Sequence, residues 1–200
     1  MPFYEYRMLS PDEQRAIVAE RLDRGFPPHR PPHLEQGQGY YLLTATIYQH
    51  HAIMLSETRL SLFEQALLEA FEQPGITCCA WVVLPNHYHL LVQLPALAVV
   101  SAILKRLHGR TARQWNIEDN TIGRKVWYYY SDRAIRDEQH FYRATNYLHA
   151  NAVRHRYAKH SLDWRFSSLH RYIADLGMDW VKKIEQDYPF DTFGDGWDAA

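Results

Sequence analysis

Two histidines separated by one residue stand in the run LPNHYHLLVQLP, whose composition predicts a β-strand beginning at His87. Side chains alternate along a strand, so His87 and His89 are expected on one face and Tyr88 on the other. Two imidazoles on one face, roughly 6–7 Å apart by strand geometry, can share a divalent cation. Structural histidines would give the same pattern, so a metal site also needs a third ligand and a reactive group.

The segment 137–153, DEQHFYRATNYLHANAV, is predicted to be a helix that offers both groups. Tyr147 and Asn151 are four residues apart and therefore project from one face. An asparagine oxygen suits a hard cation such as Mg²⁺ or Mn²⁺, and a tyrosine oxygen held beside such a cation can act as a covalent nucleophile. On spacing alone, a core tyrosine and a helix-capping asparagine remain the simpler interpretation.

The remaining segments supply the elements that must position these groups. Apolar periodicity predicts strands over 40–48, 76–84, 87–94 and 125–131, and helices over 57–72, 98–116 and 137–153. The second and third strands are joined by a tight Pro85-Asn86 turn and form an antiparallel hairpin. The order β-α-β-β-α-β-α predicts an α+β fold, a ferredoxin-like sandwich with a central antiparallel sheet and helices mainly on one face.

The charge of the chain is nearly balanced overall but unevenly distributed. The 200 residues carry a net charge of −1, yet residues 101–171 hold 14 Lys and Arg against 6 Asp and Glu. A basic block that also carries aromatic residues indicates either a phosphate-backbone partner or a solvated helix face. The candidate backbone contacts lie in the stretch KRLHGRTAR and are Lys105, Arg106, Arg110 and Arg113.

Composition divides the chain into three regions. Residues 1–38 are expected to hold a short helix over 11–24 and a Pro/Gly-rich connector, residues 39–175 a single domain, and residues 176–200 an acidic tail. No apolar run reaches the roughly 20 residues that a membrane span needs, so a cytoplasmic protein with no membrane partner is expected. The adjacent pair Cys78 and Cys79 makes a disulfide framework and a cysteine-based zinc site implausible.

Three segments resemble, in this order, the REP-associated tyrosine transposases, which are single-tyrosine HUH nucleases related to the small insertion-sequence transposases. The segments are WVVLPNHYHLLVQLP, WYYYSDRAIRDEQHFYRATNYLHANAV and DWRFSSLHRY. The resemblance makes the region 39–175 an HUH-type nuclease domain and implies that His87 and His89 bind the metal. YLHANAV resembles the family motif YIHxNPV, which implies that Tyr147 is the nucleophile and Asn151 the third metal ligand.

The chain departs from that motif at one position, because Ala152 stands where the family has proline. Rival tyrosines are also present. Tyr128, Tyr129 and Tyr130 lie on a predicted strand rather than at the motif position, and we interpret them as packing or DNA-contacting residues.

The resemblance implies a metal-dependent endonuclease and strand transferase for single-stranded DNA, acting on REP (repetitive extragenic palindrome) hairpins through a covalent 5′-phosphotyrosine intermediate. Mg²⁺ or Mn²⁺ is the expected cofactor, and the sequence carries no Walker loop or dinucleotide fingerprint that would indicate a nucleotide cofactor. A monomer is favoured. Two other hypotheses stay open: a domesticated, non-cleaving nucleic-acid-binding protein of the same fold, and a phosphodiesterase that uses water while Tyr147 is structural.

Overall fold

The computed structural model describes Ser10, Asp12, Glu13, Ala16 and residues 39–72 and 76–194. The chain divides into two compact units, Met1–Glu35 and Gln36–Ala200. Within the first unit, the described residues of the predicted 11–24 helix are helical. The Ser10 backbone NH donates to the Glu13 carboxylate at 2.8 Å. The rest of that helix and the predicted connector lie outside the described residues.

A four-stranded antiparallel sheet forms the centre of the second unit. Its strands are β1 (Gly39–Ile47), β2 (Thr77–Leu84), β3 (His87–Leu94) and β4 (Trp127–Ala134). They are arranged in the order β2-β3-β1-β4, and every neighbouring pair is antiparallel. β1 and β3 are therefore the central strands, which explains why both are buried along most of their length.

Five helices follow or connect these strands in the described part of the chain. They are α1 (Glu57–Phe71), α2 (Ala98–Glu118), α3 (Glu138–Arg154), α4 (Leu169–Leu176) and α5 (Met178–Asp187), together with two short 3₁₀ turns at Tyr48–His50 and Ser161–Asp163. The strand order with one helix after β1 and one after β3 confirms the predicted α+β, ferredoxin-like class. Among the described residues, no helix is long and apolar enough to cross a membrane.

One face of the sheet is covered by α1 and α2. Ser56 caps α1 by accepting a hydrogen bond from the Arg59 backbone NH at 3.1 Å, and the buried stripe of this helix includes Phe63. Phe63 lies 5.7 Å from the Trp115 ring of α2 and 5.2 Å from the Trp127 ring of β4. An aromatic cluster thus joins both helices to the sheet.

The opposite face is covered by α3, which refines the expectation of helices mainly on one face. Leu42, Val82 and Leu91 point to this side and form a second core with Tyr147 and Leu148 of α3. The central strands carry apolar side chains on both faces of the sheet, so each face must be covered by helices.

The last described segment adds to this second core. Within the region expected to be an acidic tail, α5 lies beside α3, and the Asn146 amide donates to the Ile184 and Tyr188 carbonyls at 3.0 and 2.9 Å. Phe190 and Phe193 pack on the same core. The apolar residues of this region explain why it folds onto the domain although its net charge is negative.

Candidate active site

β3 carries both candidate histidines on the face that α3 covers. The His87 and His89 side chains are buried, and their ring centroids are 5.1 Å apart. Tyr88 points to the other face, into the core beneath α1 and α2. The predicted alternation of these three residues is therefore present in the fold.

Each imidazole is oriented through its Nδ1 atom. Asn86 Oδ1 lies 2.7 Å from His87 Nδ1, while the Asn86 amide nitrogen donates to the His50 carbonyl at 3.3 Å. Thr44 Oγ1, on the neighbouring strand β1, lies 2.7 Å from His89 Nδ1. When each Nδ1–H donates to these oxygens, each Nε2 keeps the lone pair that a metal ligand requires.

α3 brings the other two predicted residues to the same place. Tyr147 and Asn151 lie one helical turn apart on the buried side of α3. Asn151 Oδ1 is 3.3 Å from His87 Nε2, and the Tyr147 ring centroid is 5.4 Å from that of His89. The structure thus brings His87, His89, Tyr147 and Asn151 together, whereas their roles stay predictions.

The chemistry of these side chains fits a divalent cation. Two atoms bound to one ion at about 2.1 Å are about 3.0 Å apart in octahedral geometry, close to the observed 3.3 Å between Asn151 Oδ1 and His87 Nε2. The Asn151 Nδ2 atom is buried and has no hydrogen-bond partner among the described residues. A buried amide with an unused end is uncommon, and a half-turn of the amide exchanges its oxygen and nitrogen.

The third ligand of this site would be an amide rather than a carboxylate. The described part of the chain has no group of three or more His, Cys, Asp and Glu residues that could hold a metal ion. Two imidazoles and an amide oxygen together form a weaker, neutral set of ligands that suits Mg²⁺ or Mn²⁺ in the presence of a phosphate.

Ala152 leaves the end of α3 regular. The helix continues to Arg154, and the His155 backbone NH donates to the Asn151 carbonyl at 3.0 Å. The Ala152 side chain itself is buried in the core shared with Leu148. The departure from the family proline is therefore accommodated with Asn151 facing His87.

The Tyr147 ring is fully buried, with 0% of its surface exposed. The Phe193 ring lies 5.7 Å and the Phe190 ring 6.3 Å from it, and the Arg154 guanidinium stands 5.4 Å above its centroid. The backbone of Gly194 is so close that a side chain there would collide with the ring. The segment after α5 therefore packs directly against the Tyr147 ring.

The far side of β3 is anchored to α2 by a partly buried polar contact. The Tyr88 hydroxyl lies 3.0 Å from His108 Nε2, and the His108 ring stacks on Trp127 at 4.2 Å. Burial lowers the pKa of His108 to about 4 and raises the pKa of Tyr88 above its ordinary value. Both groups are therefore neutral at pH 7. Their hydrogen bond holds Tyr88, the residue between the two candidate ligands, in place on β3.

The predicted backbone contacts lie elsewhere on the domain. Lys105, Arg106, Arg110 and Arg113 are all exposed on α2. Since α2 packs on the face of Tyr88, these cations lie on the opposite side of the sheet from the four buried residues. A DNA that touches both regions must pass around an edge of the sheet.

Sequence reasoning missed the residues that orient the site. Thr44 and Asn86 hold the histidine rings, and the His155 ring lies 4.7 Å from that of His87. Asn86, next to His87, could have been suspected from its position in the turn. Thr44 could not, because its role depends on the pairing of β1 with β3.

The chain is similar in sequence to known bacterial proteins. A family model described as "Transposase IS200 like" matches residues 38–133. A relative from Escherichia coli K12, named REP-associated tyrosine transposase, is 25% identical over 163 residues, covering 81% of this chain and 89% of the relative. A Haemophilus influenzae relative named for the same family is 29% identical over 169 residues, covering 74% of this chain and 93% of the relative. The chain is thus similar to REP-associated tyrosine transposases over most of its length.

The chain is also similar in fold to a solved structure. That structure is a REP-associated tyrosine transposase bound to a REP hairpin, and it matches with a TM-score of 0.59 at 23% sequence identity, covering 74% of this chain and 85% of that chain. The α+β architecture of this chain thus agrees with that of the solved protein.

Proposed function

We propose that this protein cleaves and rejoins single-stranded DNA beside a REP-type hairpin, using Tyr147 as a covalent nucleophile and a divalent cation. The observation that carries the proposal is the convergence of four buried side chains from β3 and α3, with Asn151 Oδ1 3.3 Å from His87 Nε2 and the Tyr147 ring 5.4 Å from that of His89. The names of the relatives support the class of DNA.

His87, His89 and Asn151 are the residues that would hold the cation. When bound, it supplies positive charge that offsets the developing charge on the scissile phosphate. Thr44 and Asn86 orient the two imidazoles through their Nδ1 atoms. Tyr147 would supply the attacking oxygen, because its ring lies beside His89, with the two ring centroids 5.4 Å apart.

The reaction exchanges one phosphate ester for another. The Tyr147 oxygen attacks the phosphorus in line, a bond forms between them, and the bond from phosphorus to the 3′ oxygen breaks. The phenol gives up its proton, and the leaving group departs as a 3′-OH. A 3′-OH then attacks the phosphotyrosine, which rejoins the DNA and returns the phenol without external energy.

The exposed cations of α2 are proposed to hold the DNA backbone. Removing one cation that binds a phosphate should reduce the slope of log affinity against log salt by about 0.7 to 0.9. The variants Lys105→Ala, Arg106→Ala and Arg110→Ala should each flatten the salt dependence of hairpin binding. Lys182→Ala is the matched control, because Lys182 is an exposed cation on α5. If the salt dependence is unchanged in all three variants, the DNA backbone binds to a surface other than this face of α2.

Covalent trapping tests the chemistry. Labelled hairpin DNA with a single-stranded extension, incubated with Mn²⁺ and run on a denaturing gel, should give a protein–DNA adduct with wild type but none with Tyr147→Phe. Tyr130→Phe is the control, since it also removes one tyrosine oxygen but lies on β4. An adduct from Tyr147→Phe contradicts the assignment, and cleavage without any adduct favours a phosphodiesterase that uses water.

A non-cleaving DNA-binding protein is the second candidate, and the burial of Tyr147 favours it. Phe190 and Phe193 cover the ring that would have to attack. This candidate predicts hairpin binding by wild type with neither adduct nor cleaved strand, and with the same result when Phe190 and Phe193 are replaced.

A further inference from the structure

An exposed group of aromatic side chains surrounds one lysine at the start of the edge strand β4. This tyrosine surface consists of Tyr48, Lys125, Tyr128 and Tyr129. The Lys125 ammonium stands 4.4 Å from the Tyr48 ring centroid, 5.1 Å from that of Tyr128 and 5.9 Å from that of Tyr129. The Tyr128 ring lies 6.0 Å from Tyr48 and 5.0 Å from Tyr129.

A β-bulge presents these rings to the outside. Ala45 of β1 pairs with Tyr130 and Ile47 pairs with Trp127, so that Tyr128 and Tyr129 together face the single residue Thr46. Trp127 and Tyr130 pack into the core, whereas Tyr128 is 50% and Tyr129 79% exposed. Bulges of this kind are common at sheet edges beside active sites, where they redirect side chains.

The tyrosine surface is connected to the candidate active site by short steps. Thr46 of β1 lies opposite the bulge of β4 on one side and opposite His87 of β3 on the other. The bulge and His87 are therefore two strand spacings apart, or about 10 Å. A second connection follows the chain from Tyr48 to His50, whose carbonyl accepts from the same Asn86 amide that contacts His87.

The tyrosine surface carries one positive charge, that of Lys125. Arg124 is paired with Asp119 at 2.8 Å, whereas the neighbouring Lys125 stands over rings. Exposed aromatic faces beside a lysine match the two parts of an unpaired nucleotide, since a base stacks on a ring and its phosphate lies near the ammonium. We propose that the tyrosine surface binds unpaired bases of the DNA strand that leads into the active site.

This inference takes its partner, single-stranded DNA, from the proposed function, but it requires neither Tyr147 chemistry nor a cation. It can therefore be tested on binding alone. The probes are a fluorescent 12-nucleotide oligo(dT) and a 12-unit abasic strand, which carry the same phosphates with and without bases. Fluorescence anisotropy in EDTA measures the affinity of each for the full-length chain.

Wild type should prefer the oligo(dT), and Tyr128→Ala and Tyr129→Ala should each lower oligo(dT) affinity by about 5- to 150-fold while leaving abasic affinity unchanged. Tyr129→Phe should keep the preference because it keeps the ring. Tyr40→Ala, a change to a 39% exposed tyrosine at the start of β1, should have no effect. Lys125→Ala should reduce the salt slope by about 0.7 for both probes.

Equal affinity of wild type for the two probes would overturn the inference, as would an unchanged preference in Tyr128→Ala and Tyr129→Ala. Either result leaves the adduct assay for Tyr147 untouched. Conversely, loss of the adduct in every assay with a preserved preference for oligo(dT) would refute the proposed cleavage and keep the tyrosine surface as a binding site for bases.

Discussion

Replacing Thr44 by valine removes the hydroxyl that lies 2.7 Å from His89 Nδ1 and keeps the β-branched shape of a buried strand residue. The His89 Nδ1–H then faces a methyl group. Leaving a buried donor without this acceptor costs about 1–3 kcal/mol. The imidazole can avoid the cost by moving its proton to Nε2, but that tautomer no longer has the lone pair with which His89 would bind the proposed cation.

The cation would therefore have to supply about 1–3 kcal/mol to restore the tautomer, which corresponds to a loss of affinity of roughly 5- to 150-fold. The Mn²⁺ concentration that gives half-maximal adduct should rise by that factor in Thr44→Val, while the adduct yield at saturating Mn²⁺ recovers. Mn²⁺ titrations of the trapped adduct measure this shift, and thermal unfolding verifies that the variant is folded.

Thr46→Val is the matched control. Thr46 lies two residues further along β1 on the same face, and His87 beside it takes its Nδ1 contact from Asn86 instead. The Mn²⁺ midpoint of Thr46→Val should equal that of wild type. A Thr44→Val midpoint equal to wild type, or a shift of the same size in both variants, would refute the orienting role of Thr44.

Three further predictions concern the cover, the cation and pH. The double variant Phe190→Ser/Phe193→Ser should uncover Tyr147 and raise the initial rate of adduct formation, on the order of tenfold if the uncovered form is a minor population of wild type; an unchanged rate would show that the segment does not limit access. EDTA should abolish the adduct but spare hairpin binding, and added Mn²⁺ should restore it, as a gel of both species can show. Because the His108 pKa is about 4 in the fold against an ordinary 6.5, the unfolded chain binds more protons between these values, so stability is present above pH 6.5 and declines as pH falls toward 4. His108→Gln, which still offers Tyr88 a partner, should reduce this decline by up to about 2.5 kcal/mol in denaturant titrations at pH 4.5 and 7.

The predictable parts of this protein are those set by local periodicity. His87 and His89 share a face because they are two apart on a strand, and Tyr147 and Asn151 share one because they are four apart on a helix. Apolar periodicity likewise predicted the boundaries of the four strands and of α1, α2 and α3 to within a few residues. These relations hold within one element, so no knowledge of the neighbouring elements is needed.

The unpredicted parts depend on contacts between distant segments. Thr44 reaches His89 only through the register of β1 with β3, and the bulge at Tyr128 exists only relative to the pairing of β4 with β1. Phe193 packs on Tyr147, which lies 46 positions earlier in the chain. No local sequence pattern relates the two positions. The acidic residues of 176–200 indicated a tail. The segment nevertheless folds onto the domain because Phe190 and Phe193 bury apolar surface there.

The alternation of His87, Tyr88 and His89 between two layers means that one register serves both stability and chemistry. A one-residue insertion in the Pro85-Asn86 turn would turn the Tyr88 ring toward α3 and place both imidazoles in the apolar core under α1 and α2. Such a chain would lose its folding as well as its active site. A point substitution at either histidine, by contrast, leaves the register and the exposed DNA-binding candidates in place. Substitutions at the two histidines are therefore expected to change the candidate site without the fold, whereas an insertion in the turn is expected to disrupt both.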